Sequence, residues 1–305
     1  MKWLTTKRVC SFTNTPYTGN PAWVIIGAEV TDDDKKLMKL ARELNPLSDI
    51  TFVFPGGEDT DISLRFFSQS SEIKFSGHGT IAVYFAIEDL KLIKFTEPHT
   101  IVRQRTRLGI QCVELRMANK KIQRVTVTVP VPQFIDIPIE IKTMSKFLGI
   151  PPVDISDTNY PMKIVDSGFC ELILPIKSLQ TLLDMKPNFP LMKSYCERMR
   201  ITGVITYSME TRNKDSSVHM RHFAPAIGID EDSASGGASS ALGFYLVQAG
   251  IIPGEEVTRL IVEQGYAMGR DAIIYVHVYC EKKEILKLTF GGQAVVTFEG
   301  RVLLP

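Results

Sequence analysis

His78 stands between two glycines, Gly77 and Gly79, in "KFSGHGTIAVYFAI" (74–87), directly ahead of an almost wholly apolar stretch. Far downstream, "EDSASGGASSALGFYL" (231–246) repeats the idea with Gly236 and Gly237 but without the histidine. The start of a helix presents backbone N–H groups that have no partner within the helix, together with the positive end of its dipole. A carboxylate or another anion binds there, and glycines let its oxygens come close to the backbone. An imidazole beside such an anion supplies a hydrogen bond or a proton. The competing reading is that Gly77 and Gly236 merely allow tight helix packing, but two equivalent clusters in one chain favour a binding role. Neither cluster carries the Lys-Ser/Thr pair of a nucleotide-phosphate loop.

Both clusters need the same support. "RFF" (65–67) leads through a short loop to "SGHGTIAVYFAI", and "RHF" (221–223) leads through a longer one to "SGGASSALGFYL". Each half therefore reads as a strand bearing an arginine, a loop, Ser-Gly, and a helix that is apolar almost all round. Such a helix must be buried on every side, as if a curved sheet wrapped around it. Two copies point to two similar domains derived by duplication. Around them, alternating and β-rich runs predict strands at "RVCSF", "WVIIG", "DITFVF", "DISLRFF", "GVITYSME" and "DAIIYVHVY". "TDDDKKLMKLAREL" (31–44) predicts an amphipathic helix capped by Thr31 or Asp32, with Leu37, Leu40, Ala41 and Leu44 on one face. "PVPQFIDIP" (130–138), with Pro130, Pro132 and Pro138, reads as a connector between domains.

Composition narrows the function classes. A chain of 305 residues suits two domains, and 44% apolar with 23% charged residues describes a soluble globular protein. The formal net charge of +1 gives no global field for nucleic acid or an anionic membrane. Arg103, Arg105 and Arg107 share a face if extended, and a solvated strand face is the better account of them. No apolar run is long enough to span a bilayer, and the first residues lack the core of an export signal. Cys10, Cys112, Cys170, Cys196 and Cys280 are scattered singly, as expected of reduced thiols in a cytoplasmic protein. His219 and His222 have zinc-like spacing, but three residues apart on a strand they face opposite sides, and no metal site is expected. His99 and His277 show no acidic or cysteine companions in the sequence.

Further stretches extend the pattern from end to end: "FTNTPYTGNPAWVI" (12–25), "ARELNPLSDITFVF" (41–54), "LRFFSQSSEIKFSGHGT" (64–80), "MRHFAPAIGIDEDSASGGASSALG" (220–243), "EQGYAMGRDAIIYVHV" (263–278) and "GGQAVVTFEGRVLL". In these the chain resembles the PhzF-like (phenazine biosynthesis-like) family, within the diaminopimelate-epimerase-like fold. The resemblance implies an α/β (α+β) protein of two pseudosymmetric domains, each a curved, mostly antiparallel sheet around a central helix, with the active site in the cleft between them. Residues 1–129, rejoined by the last strand at 290–305, would form one half and 130–289 the other. It also implies cofactor-independent acid–base isomerisation of a small-molecule metabolite, and a homodimer.

Carried over residue by residue, the resemblance makes Asp49 the carboxylate that moves a proton, in place of a glutamate. His78 and Asp232 assist it, and Ser76, Gly77, Gly79, Ser235, Gly236 and Gly237 form the substrate-binding helix starts. Several positions depart from the family pattern. Asp49 is one methylene shorter than glutamate, Pro46 resembles an insertion ahead of it, Ser233 replaces a proline, Gly237 a serine, and Gly79 a common proline. Ser76 and Ser235 stand where two-thiol racemases of this fold need cysteines, and a hydroxyl is too weak an acid to replace a thiol unaided. Besides an isomerase, a repurposed metabolite cyclase and a non-catalytic ligand-binding protein remain open on the sequence.

Overall fold

The apolar stretch after Ser76 forms the helix Gly77–Ile87, whose residues Gly79–Tyr84, Ala86 and Ile87 are all buried. The second forms the helix Gly236–Gln248, buried from Ala238 to Leu246 as well as at Gly236. Neither has a polar stripe, because neither has a side turned to water. Each buried tyrosine on them finds a partner for its hydroxyl: Tyr84 donates to Gln104 Oε1 at 2.8 Å, and Tyr245 donates to the Pro161 carbonyl at 2.6 Å. The computed structural model describes residues 2–27, 33–44, 49–68, 70–90, 92–282 and 284–305.

The chain divides into two compact units, Met1–Thr128 with Gly291–Pro305, and Val129–Phe290. In the first, the strand Trp3–Ser11 lies antiparallel between Ala294–Leu303 and Asn20–Ile26. Asn20–Ile26 runs parallel to Ile50–Pro55, which pairs antiparallel with Ile62–Phe67. Ile62–Phe67 is parallel to His99–Thr106, and that strand continues antiparallel into Gly109–Ala118. The central helix packs on Trp3–Ser11, Asn20–Ile26, Ile50–Pro55 and Ala294–Leu303. The helix Asp34–Leu44 covers a separate cluster, burying Leu37, Leu40 and Ala41 against Leu4, Ile25, Phe52 and Phe67. Asp33 Oδ1 accepts from the Lys35 amide at 2.9 Å at its start, while Thr31 and Asp32 lie outside the described residues.

The second unit repeats the order of pairings. Lys163–Asp166 is antiparallel to Cys170–Pro175, which is parallel to Gly203–Ser208. Gly203–Ser208 is antiparallel to Val218–Ala224, that strand is parallel to Val257–Gln264, and Val257–Gln264 is antiparallel to Ala272–Glu281. Its central helix packs on Ala272–Glu281, Lys163–Asp166 and Cys170–Pro175. The strand before each central helix carries the same clamp. Arg65 bonds Glu72 through Nε and Nη2 at 2.9 and 2.6 Å, with its guanidinium 5.2 Å from the Phe67 ring. Arg221 bonds Glu231 twice at 2.8 Å and lies 5.0 Å from Phe223. A planar fork on a carboxylate is worth conserving geometrically, since it fixes both direction and distance.

Two expectations change. The proline-rich segment 130–138 contains a strand, Gln133–Ile135, paired with Lys163–Asp166, and Phe134 packs edge-on against Phe244 at 5.3 Å. Its prolines flank the paired residues and leave their amides free for the ladder. His99 does have an acidic companion, Glu114, 2.9 Å away on the adjacent strand. The arginine run is the solvated strand face expected of it for Arg103 and Arg105, which lie exposed on the strand His99–Thr106, while Arg107 follows in the turn; Arg105 pairs with Asp59 at 2.8 Å and Arg107 with Glu72 at 2.5 Å.

Candidate active site

Asp49 immediately precedes the strand Ile50–Pro55, and its carbonyl is held by the Trp23 amide at 3.0 Å. That anchor leaves the side chain free to reach the start of the first central helix. Ser76 is the N-cap there, in extended conformation, and its Oγ accepts from the Gly79 amide at 3.2 Å. The same hydroxyl donates to Asp49 Oδ2 at 2.6 Å. Having given its one hydrogen to the carboxylate, Ser76 Oγ can only accept from His78 Nδ1, 3.4 Å away. The other ring nitrogen, His78 Nε2, is buried without a hydrogen bond and faces Asp49 Oδ2 at 3.7 Å. The His78 carbonyl is fixed by Ser11 Oγ at 2.8 Å. Asp49 and His78 keep 21% and 15% side-chain exposure, enough for a small molecule to touch them but too little for bulk water to surround them. Pro46, ahead of Asp49, lies outside the described residues.

The second unit builds a matching helix start with different fittings. Ser235 Oγ accepts from the Ala238 amide at 3.2 Å, as Ser76 does from Gly79. Asp232, with 19% of its side chain exposed, accepts from the Ala234 amide at 3.3 Å. The fully buried Gln264 ties the loop down from the neighbouring strand. Its Oε1 accepts from the Ser235 amide at 2.9 Å and its Nε2 donates to the Asp232 carbonyl at 2.7 Å. Behind Asp232 lies His222, and behind His222 lies Glu171. Sequence reading did not single out Gln264, Glu171 or His222 as partners of this helix start. Gln264 ends a strand and Glu171 begins one, and nothing in their local pattern marks them.

The glycines differ in what a side chain would meet. A Cβ at Gly79 would lie 2.7 Å from Thr51 Oγ1 and 3.0 Å from Ser76 Oγ, and one at Gly236 would lie 2.4 Å from the Phe290 ring. At these two positions the missing side chain makes room for the protein's own atoms. Gly237 opens onto space, with nothing within 4 Å of a Cβ. Gly77 is the first residue of its helix, and neither central helix has an acidic residue in its first turn to neutralise the dipole. Among the described residues no three His, Cys, Asp or Glu side chains group as metal ligands. His219, far from sharing a site with His222, bonds Glu263 at 2.7 Å.

The profile of the family described as "Phenazine biosynthesis-like protein" matches residues 9–300. The chain belongs to this family. It is 32% identical over 301 residues to an uncharacterized isomerase of Clostridium acetobutylicum, covering 97% of each chain. It is 25% identical over 295 residues to the trans-2,3-dihydro-3-hydroxyanthranilate isomerase of Pseudomonas chlororaphis, covering 96% of this chain and 97% of that one. Among solved structures it resembles a Bacillus anthracis phenazine biosynthesis protein of the PhzF family. That match has a TM-score of 0.88 at 26% identity and covers 99% of this chain and all of the other. In this PhzF-family chain the carboxylate bonded to the first N-cap serine is Asp49. Among the described residues no helix is long and apolar enough to cross a membrane.

Proposed function

We propose that this PhzF-family chain is an isomerase of a small carboxylated or cyclic metabolite, and that it moves a proton with its own side chains. The observation that carries the reading is the Asp49–Ser76–His78 cluster. A part-exposed carboxylate and a ring nitrogen without a partner lie 3.7 Å apart, at the positive end of a buried helix with no acidic residue in its first turn. In the proposed step a substrate C–H gives its proton to Asp49, and the C–H electron pair enters the substrate's conjugated system. The proton is then returned to a different carbon, from Asp49 or after passing to His78 Nε2. Ser76 holds Asp49 Oδ2, so the carboxylate presents one direction to the substrate. The helix start holds the substrate's anionic group.

Relatives named for isomerising trans-2,3-dihydro-3-hydroxyanthranilate make that compound the first to try. The protein is incubated in heavy water with it and, separately, with a metabolite extract, and deuterium uptake is read by mass spectrometry. The expected result is protein-dependent label in one compound, reduced by about two orders of magnitude or more in Asp49→Asn, the usual scale for losing a positioned acid–base group. Uptake unchanged by Asp49→Asn would remove Asp49 from the chemistry. Absence of uptake from every compound tried would count against an isomerase and for a binding protein.

A further inference from the structure

Three acidic or basic side chains lie in line behind the second central helix start, on three different strands. Glu171 is on Cys170–Pro175, His222 on Val218–Ala224, and Asp232 ends Ile229–Asp232. His222 and Asp232 are direct cross-strand partners. His222 Nε2 lies 3.2 Å from Glu171 Oε2, and His222 Nδ1 lies 3.7 Å from Asp232 Oδ2. Glu171 and His222 are buried, at 5% and 6% exposure, whereas Asp232 faces outward with 19% of its side chain exposed. Gly203, on the strand between Glu171 and His222, is shaped by the pair. A Cβ there would lie 2.5 Å from Glu171 Oε2 and 2.5 Å from His222 Nε2. The backbone gives up a side chain so that the two can meet.

We propose that His222 is a positioning residue, held as a buried cation between Glu171 and Asp232, which keeps Asp232 aimed at the start of the helix Gly236–Gln248. The inference rests on the reading of Asp232 as a carboxylate of the isomerase site and deepens it. A neutral imidazole would leave the buried Glu171 carboxylate without a balancing charge, whereas an imidazolium meets Glu171 at 3.2 Å and directs its other N–H towards Asp232. Burial alone pulls the basicity of His222 down, but Glu171 first and Asp232 with it outweigh burial and push its pKa up to about 10. The remaining ionisable neighbour is Cys196, from the helix Phe189–Met199. Burial and then Glu171 push its thiol up to about 12, so it stays neutral. Arg221 and Glu231, the adjacent residues on the same two strands, point to the other side and satisfy each other.

The test reads His222 by NMR and needs no substrate, so its failure is separate from a failure to find isomerase turnover. With nitrogen-15-labelled histidine, the His222 ring signals are followed over the pH range in which the protein stays folded. The wild-type His222 ring is expected to remain doubly protonated through pH 8. Glu171→Gln should bring its titration down by about one pH unit or more, the usual effect of removing an adjacent opposite charge. Asp232→Asn, at the more exposed end of the line, should lower the His222 titration as well. A His222 ring that is neutral at pH 7, or a His222 titration unmoved by Asp232→Asn, overturns the proposal. Where a substrate is found, Glu171→Gln should shift the pH profile of turnover rather than only lower its amplitude.

Discussion

The two N-cap serines allow a measurement in which one half of the protein is the control for the other. Ser76→Ala and Ser235→Ala each remove a side chain that accepts from a helix amide at 3.2 Å. Loss of such a cap costs about 1 kcal/mol. Ser76 also donates to Asp49 at 2.6 Å, while Asp232 in the other unit takes its hydrogen bond from the Ala234 amide. A hydrogen bond to a charged group contributes about 1.5–3 kcal/mol; discounted for the 21% exposure of Asp49, about 1–2 kcal/mol is reasonable here. Ser76→Ala should therefore cost about 2–3 kcal/mol and Ser235→Ala about 1 kcal/mol. At about 2–4 °C per kcal/mol, the melting of the affected units should differ by about 2–8 °C. A double-mutant cycle with Asp49→Asn isolates the pair: Ser76 and Asp49 should couple by about 1–2 kcal/mol, and Ser235 and Asp49 not at all. Equal losses for the two serines, with no coupling to Asp49, would refute the idea that Ser76 holds the carboxylate.

Glu263 gives a prediction in acid. Burial works against its charge, but His219 and the amides of Arg212 and Asn213 outweigh burial and hold its pKa down at about 2. Its stabilisation is therefore complete above its ordinary range near 4.5 and is lost as pH falls from there through about 2. Glu263→Gln should lose about 3 kcal/mol at neutral pH and flatten the dependence of stability on pH across that window, followed by denaturant titration at each pH. Gly236→Ala should destabilise by about 1–3 kcal/mol against Phe290, while Gly237→Ala, which meets open space, should leave the melting temperature nearly unchanged. If deuterium exchange nevertheless falls in Gly237→Ala, the opening at Gly237 is occupied by substrate; equal melting of the two variants would contradict the packing described for Gly236.

Much of the framework is legible because burial leaves a local signature. A helix without a polar face announces itself in the run after Ser76 and again after Ser235, and the arginine ahead of each hints at the duplication. The partners of those arginines were not legible. Glu72 lies 7 residues beyond Arg65 and Glu231 lies 10 beyond Arg221, so no fixed spacing exposes the shared clamp. His99 and Glu114 looked unrelated because a hairpin brings together residues that no short window contains. The separation of 51 positions between Glu171 and His222 hides that pair more completely still.

The glycines teach the sharper point. A glycine at a helix start has the same sequence signature whether the space beside it holds a ligand, a phenylalanine ring or a serine hydroxyl. Gly79 and Gly236 are spent on Thr51, Ser76 and Phe290, and Gly237 alone of these three opens outward. Chemistry at the first helix is therefore carried less by the bare backbone than by what is tethered to its cap. One serine there receives an amide and holds a carboxylate, and it sits beside an imidazole whose second nitrogen has no partner. The second helix start has no imidazole of its own, and takes one from the strand beneath it in His222. Both carboxylates thus have a histidine within 4 Å, one on the helix itself and the other behind the carboxylate. The two helix starts therefore differ in what their histidines can do: His78 Nε2 has no hydrogen bond to give up before it takes a proton, whereas the His222 ring is engaged by Glu171 at 3.2 Å.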